Sequence, residues 1–173
     1  MKFTVTSAVD ILSRTPSTLD VMLQGLSTDW LGDTGDRDNW GPFDVVGHLI
    51  NTDKTNFIPR LELIFSENKE PVFPPFDRFA HFKDSKGKTL KDRLTEFAEV
   101  RKASLDKVAD WQITADQLDR TAIHPDFGEV TLAQLLSTWT VHDLTHIRQI
   151  VNYLARRYAE EVGPWRQYLS ILN

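Results

Sequence analysis

The chain has 173 residues, a formal charge of −5 and no cysteine, so disulfide bonds and thiolate metal sites are excluded, and the length fits a single domain over residues 1–173. Lysine and arginine are scattered rather than gathered into a stripe, so we expect no nucleic acid as a partner. We expect a cytoplasmic protein without membrane contact, because the start of the chain lacks the apolar run of a signal peptide and no segment is apolar over a membrane-spanning length.

Two helical patterns occupy the first part of the chain. The first runs over about residues 7–26, where leucines recur on one side. Pro16 lies inside this pattern and should kink the helix or begin a second one, since proline lacks a backbone N–H. The second pattern opens at Pro42, a residue suited to the first helical position, and runs to about residue 65. Pro59 predicts a bend within it.

A long connection follows over residues 67–88, and its length suggests a role of its own. It carries several phenylalanines among prolines, and these rings either form a lid over a substrate or plug the open end of the fold. His81, which lies in this connection, is interpreted as a surface or packing residue.

The second part of the chain carries two more helical patterns, over about residues 90–111 and 131–158. Between them, residues 119–130 could hold a short extended piece, and His124 there is expected to position a turn. Nothing makes a convincing sheet, so the fold class is predicted as all-α, a four-helix bundle with long connecting loops and a short C-terminal segment. The long connections make simple up-down-up-down wiring doubtful.

Three histidines are the candidates for a metal site. His142 and His146 lie one helical turn apart, and residues four apart stack on one face of a helix with about 5–6 Å between their Cβ atoms. His48 holds a comparable position at the edge of the buried face of the second helix. Three imidazoles that converge would leave open coordination positions, as catalytic metal sites do. The alternative is that these are satisfied or surface histidines without metal.

Two carboxylates and one guanidinium fall where apolar residues are expected. Asp53 and Asp143 lie inside the apolar arcs of their helices, and a buried carboxylate needs a partner. That partner is either the free ring nitrogen of a metal-bound histidine or Arg101, which lies in the apolar stripe of the third helix. Arg101 in turn either forms a structural pair with a carboxylate or faces the pocket to hold an acidic substrate. Asp143 and Arg101 are therefore the candidate catalytic residues.

Motifs spread over nearly the whole chain add to this pattern. Trp40 precedes His48-Leu49, the segment HPDFGEVT occupies residues 124–131, the fourth helix carries Trp139, His142-Asp143, His146 and Gln149-Ile150, and VGPW follows at residues 162–165. Together these features resemble the DinB/YfiT-like superfamily. The resemblance implies a four-helix bundle with up-down-down-up connectivity, often a homodimer, in which three histidines hold a divalent metal ion such as nickel or zinc. By position, those ligands are His48, His142 and His146.

The expected function is that of a metal-dependent enzyme acting on a small molecule. Three neutral imidazoles leave the charge of the ion undiluted, so it can activate water or a small thiol. Since the chain has no cysteine, a low-molecular-weight thiol would supply the sulfur, with Asp143 orienting a ligand and Arg101 binding the acceptor or the carboxylates of the thiol. The resemblance favours a thiol-dependent S-transferase, because the superfamily includes such enzymes.

Three alternatives stay open. The first is a metal-dependent hydrolase, a class that the superfamily also includes. The second is a non-catalytic metal-binding bundle, in which the ion contributes stability. The third is a plain helical interaction domain whose histidines are incidental, and it predicts no stoichiometric metal.

Overall fold

Short helices form the beginning of the chain in the computed structural model, which describes residues 2–32 and 37–173. They are α1 (Val5–Leu12), α2 (Thr15–Leu23) and the single turn α3 (Thr28–Leu31). The predicted first helix is therefore two helices, and Pro16 lies in the first turn of the second one, where its missing N–H has no intrahelical partner to lose.

The second predicted helix is continuous but irregular at its centre. It consists of α4 (Pro42–Thr52), a π-helical turn (Asp53–Phe57) and α5 (Ile58–Phe65). The N–H of Ile58 reaches five residues back to the carbonyl oxygen of Asp53, and Pro59 follows without an N–H. The bend that Pro59 predicts is thus accommodated as a widened turn, a feature that often lies at functional sites.

The second part of the chain contains the two longest helices and a small sheet. These are α6 (Leu90–Asp110), β1 (Thr121–His124), β2 (Gly128–Thr131) and α7 (Leu132–Ala155). Thr89 and Thr131 start the two helices with reciprocal capping hydrogen bonds. After α7 the chain continues in short 3-10 turns, as the predicted C-terminal segment.

The strict all-α prediction is wrong in one respect, because β1 and β2 form an antiparallel hairpin. Thr121 faces Thr131 and His124 faces Gly128, and Gly128 takes the positive φ of +72° that the tight turn requires. Val72 adds an isolated parallel bridge to Ile123. The fold is therefore mostly helical, with this hairpin inserted between α6 and α7.

Two apolar clusters fill the space between the helices. One surrounds Trp139 and Phe57, and the other surrounds Trp40, Leu49 and Phe97. α1 packs against α7, α2 against α6, and α4 against both α6 and α7. The up-down-down-up order stays a prediction. None of the helices in the described ranges combines the length and apolar character needed to cross a membrane.

Candidate metal centre

The structure brings the three predicted histidines to one point. His48 lies in α4, and His142 and His146 lie one turn apart in α7. The Nε2 atom of His142 is 3.2 Å from Nε2 of His48 and 3.1 Å from Nε2 of His146. One ring nitrogen from each residue lies within 4.8 Å of the others. The histidines thus form a compact cluster with His142 at its centre.

The two separations to the central nitrogen, Nε2 of His142, fit a common ion. Donor nitrogens about 2.0–2.1 Å from one ion lie about 2.8–3.4 Å from each other when the bond angles run from right angles to tetrahedral. The two measured Nε2 separations, 3.1 and 3.2 Å, fall inside that range. Neutral imidazole nitrogens whose lone pairs meet at this distance repel one another unless a cation or a proton lies between them.

Hydrogen bonds on the outer side of the cluster orient two of the rings. Nδ1 of His48 donates to the carbonyl oxygen of Arg78 at 3.3 Å, and Nδ1 of His146 donates to Oε1 of Gln149 at 2.8 Å. Both acceptors fix the ring proton on Nδ1, so the Nε2 lone pair is left for a ligand. Nδ1 of His142 is buried and has no hydrogen-bond partner within the described part of the chain.

Burial keeps the cluster neutral. It is the largest cause of a lowered pKa in all three imidazoles, since the charged form loses its hydration. The pKa of His142 falls to about 3, with His146 and Arg101 acting in the same direction after burial. At neutral pH all three rings are therefore unprotonated, which is the state that ligates a metal.

The cluster opens to solvent through a pocket of about 370 Å³. Its walls include Trp40, Phe76 and Arg78 beside the three histidines. Phe76 and Arg78 belong to the connection between α5 and α6, so this connection forms part of the pocket wall. The phenylalanine there lies edge-on to the His48 ring, with 6.1 Å between the ring centroids.

A buried arginine holds this connection in place. Nη2 of Arg93 donates to the carbonyl oxygen of His81 at 3.2 Å and to Oγ of Ser85 at 2.7 Å. The guanidinium lies where a side chain on Gly47 would be, because a Cβ there would come within 2.0 Å of Nη1 of Arg93. His81 itself is 1% exposed and packs against Trp40 with 4.7 Å between ring centroids. It is a packing residue, one of the two roles expected for it.

Arg101 is paired with both buried carboxylates. Its Nε donates to Asp53 at 2.7 Å, and its Nη1 and Nη2 donate to the two oxygens of Asp143 at 2.5 and 3.0 Å. Trp139 donates from Nε1 to Asp53 at 2.9 Å. Burial alone would lower the pKa of Arg101, but the two carboxylates outweigh it and raise that pKa. Of the two roles left open for Arg101, the geometry favours the structural pair.

The candidate catalytic residues are therefore not at the pocket surface. Asp143 is 0% and Arg101 1% exposed, and neither is among the residues that line the pocket beside the histidines. This burial favours the structural role for both residues, and the expectation that Asp143 orients a ligand and that Arg101 holds a substrate stays a prediction. Arg101 donates hydrogen bonds to Asp143, to Asp53 and to the carbonyl oxygen of Leu12, so its donors are committed within the protein.

His124 lies away from the cluster, in the hairpin turn. Its Nδ1 accepts a hydrogen bond from the backbone N–H of Asp126 at 3.1 Å, and its ring stacks on Phe127. It positions the turn, as expected. Sequence reasoning missed Arg78, whose contribution is a backbone carbonyl that no sequence pattern signals. Gln149 carried a signal, because it lies three residues after His146 on the same side of the helix.

Comparison with known proteins finds a similar solved structure and a matching family. The structure is similar to that of YfiT from Bacillus subtilis, described as a probable metal-dependent hydrolase with an unusual four-helix bundle topology. The TM-score is 0.72 at 25% sequence identity, over 88% of this chain and 86% of that one. No curated protein matches the chain. The family model of the DinB superfamily matches residues 11–150, a span that includes all three histidines, and the chain belongs to this superfamily.

Proposed function

We propose that the protein is a metal-dependent enzyme in which His48, His142 and His146 hold a divalent ion, and that it hydrolyses a small molecule. The observation that carries the proposal is the convergence of three Nε2 atoms at 3.1 and 3.2 Å. Nickel and zinc are the candidate ions, because imidazole ligands suit both. The description of YfiT as a probable metal-dependent hydrolase supports hydrolysis over other reactions.

The residues of the chain would hold the ion, orient its ligand rings and enclose the substrate. A divalent ion at three neutral imidazoles supplies Lewis-acid chemistry, which polarises a carbonyl group and activates water near neutral pH. Arg78 and Gln149 fix the outer nitrogens of two ligand rings, while Trp40 and Phe76 provide apolar walls that limit the water around a bound substrate. Arg101, Asp53, Asp143 and Trp139 form a hydrogen-bonded group, the Arg101 cluster, which holds α7 and its two ligand histidines in place against the other helices.

Thiol transfer is the second candidate function. It is supported by a second cavity of about 410 Å³ that shares Asp38, Trp40 and Gln149 with the histidine pocket. Two adjoining cavities provide space for two reactants, a low-molecular-weight thiol and an electrophile. Because the chain has no cysteine, the sulfur would come from that thiol. The homodimer and the cytoplasmic location stay predictions.

One experiment separates these functions. Protein purified without an affinity tag is loaded with nickel or zinc, its metal content is measured by elemental analysis, and it is offered a panel of esters and amides, and separately thiols with an electrophile. We expect one ion per chain and metal-dependent hydrolysis, both lost in His142→Ala and kept in the control His124→Ala. Thiol consumption without hydrolysis would favour transfer instead.

The remaining outcomes contradict the proposal. If the protein binds stoichiometric metal but turns over no substrate, it is a non-catalytic metal-binding bundle. If it takes up no stoichiometric metal, the histidines serve only to pack the helices.

A further inference from the structure

The cavity beside the histidine pocket has the opposite charge character from the molecule as a whole. The chain carries a formal charge of −5, yet the cavity is lined by Arg148 and Arg156, and the histidine pocket adds Arg37 and Arg78. Asp38 is the one acid among the described residues that line either cavity. A concave surface whose charged side chains are mainly cations concentrates anions.

The two arginines of the cavity are available to a ligand. Within the described ranges, no carboxylate lies within ion-pair distance of Arg148 or Arg156, whereas Arg101 is fully paired. Both side chains are exposed. A guanidinium that is not committed to an internal partner can present two parallel N–H donors to a carboxylate or a phosphate.

Other donors line the same cavity. The hydroxyl oxygen of Tyr153 accepts a hydrogen bond from Nη2 of Arg157 at 2.7 Å, so its own proton remains available for a ligand. The amide of Asn152 lies one residue away along the wall. Donors therefore predominate among the groups that a ligand would meet, which suits a negatively charged acceptor.

The cavity is aligned with the histidine cluster along α7. Gln149 lies in the wall between the two cavities and is held by its hydrogen bond to His146. At 1.5 Å per residue, Arg148 lies about 3 Å, Asn152 about 9 Å and Arg156 about 15 Å beyond His146 along the helix. A ligand that reacts at the histidines, passes Arg148 and reaches the far end of the cavity at Arg156 therefore spans about 10–15 Å.

From these observations we infer that the cavity lined by Arg148, Arg156 and Tyr153 is a subsite for an anionic group of the substrate. The inference rests on the proposed function, since it places the reacting end of the substrate at the histidine cluster. The substrate class is an elongated molecule with a carboxylate or a phosphate about 10–15 Å from the atom that reacts. The shared chemistry is a planar or tetrahedral oxyanion bound by guanidinium groups.

The test uses long-chain acids as probes. Sebacate has a carboxylate at each end of a ten-carbon chain, decanoate has one, and the phosphate ester of 10-hydroxydecanoate replaces one carboxylate by a phosphate. Each is titrated into the zinc-loaded and the metal-free protein while the Nε–Hε NMR signals of the arginines are followed. We expect sebacate or the phosphate to bind the zinc-loaded protein about tenfold more tightly than decanoate, with shifts at Arg148 and Arg156. The tighter of the two identifies the anion.

Variants make the result specific. Arg148→Gln combined with Arg156→Gln should abolish the preference for the second anionic group, while Arg14→Gln, an exposed arginine on the α1–α2 connection, should keep it. Equal binding of sebacate, the phosphate and decanoate, or a preference that survives in the double variant, would overturn the inference. Failure of the metal proposal would appear separately, as an absence of zinc uptake while the arginine signals still respond to the dianions.

Discussion

Two acceptor atoms on the outer side of the cluster set the direction in which the Nε2 lone pairs of His48 and His146 point. The carbonyl oxygen of Arg78 accepts a hydrogen bond from Nδ1 of His48 at 3.3 Å, and the amide oxygen of Gln149 accepts one from Nδ1 of His146 at 2.8 Å. Each of these contacts selects one ring tautomer and one ring orientation. The first acceptor is backbone and cannot be removed by substitution, but the second is a side chain and can be tested.

We expect Gln149→Leu to weaken metal binding by about 10–100-fold, the range found when hydrogen-bond partners of ligand histidines are removed. The leucine keeps the bulk of the side chain but leaves Nδ1 of His146 without its acceptor, so the ring loses its fixed tautomer. The measurement is the dissociation constant for zinc, obtained by competition with a chromophoric chelator.

The matched control for this prediction is Gln24→Leu, at the exposed glutamine that follows α2 and is not among the residues that line the histidine pocket. It makes the same chemical change and should leave the zinc affinity at the parent value. A Gln149→Leu protein with the affinity of the control would show that the hydrogen bond does not orient the ligand.

Among the elements, the Arg101 cluster joins the parts of the bundle that carry the site. Arg101 in α6 binds the carbonyl oxygen of Leu12 at the end of α1, Asp53 in the π-helical turn and Asp143 in α7. Its guanidinium also lies over the rings of Phe97 and Trp139, which belong to the two different apolar clusters. One charged group thus fixes four segments relative to one another.

Removing the cation from this cluster should destabilise the fold. In Arg101→Met, two carboxylates with 0% exposure lose their counter-charge. Removal of one partner of a buried ion pair lowers the free energy of unfolding by about 3–5 kcal/mol. We expect that loss in the free energy of unfolding measured by urea denaturation. Lys102→Met, at the exposed neighbour in α6, should cost under about 1 kcal/mol because surface ion pairs contribute little.

A triple variant separates the charge effect from the loss of packing. Asp53→Asn and Asp143→Asn, combined with Arg101→Met, remove all three charges, so part of the lost stability should return. If the triple variant is less stable than Arg101→Met alone, the unpaired carboxylates are not the cause. In that case the guanidinium would act mainly through its contacts with the aromatic rings.

Local sequence signals explain which elements could be predicted. The starts of α4 and α7 follow from Pro42 and from the capping residue Thr131, and α6 follows from its periodic apolar stripe. The hairpin was predicted only as a short extended piece over residues 119–130, because its strands have four residues each, too short for a periodic pattern to stand out. The π-helical turn was predicted only as a bend at Pro59, since proline indicates an interruption but not its form.

The candidate metal centre was likewise predictable only where a local sequence signal exists. The spacing of four residues places His142 and His146 on one face of a helix without any knowledge of the fold. Whether His48 joins them depends on how α4 packs on α7, and the choice between the two roles of Arg101 depends on the register of α6 against both. These are long-range relations between helices, which the periodicity of one segment does not contain.

In the whole molecule, the candidate metal centre joins two helices that lie far apart in the sequence. His48 and His142 are separated by 94 residues in sequence, and their Nε2 atoms lie 3.2 Å apart. An ion bound there would be held by two helices that meet only in the folded state. Metal binding is therefore coupled to folding, because the unfolded chain offers no preformed site.

The coupling predicts a rise in melting temperature when metal is added. A ligand at 100 times its dissociation constant stabilises the folded state by about 2.7 kcal/mol, and for a chain of this size each kcal/mol shifts the midpoint by about 2–4 °C. We expect zinc or nickel to raise the midpoint by roughly 5–10 °C in a thermal scan on these grounds. Magnesium should leave the midpoint unchanged, because it prefers oxygen ligands. His142→Ala should abolish the shift, since it removes the central nitrogen of the cluster; an equal shift in this variant would place the ion elsewhere on the molecule.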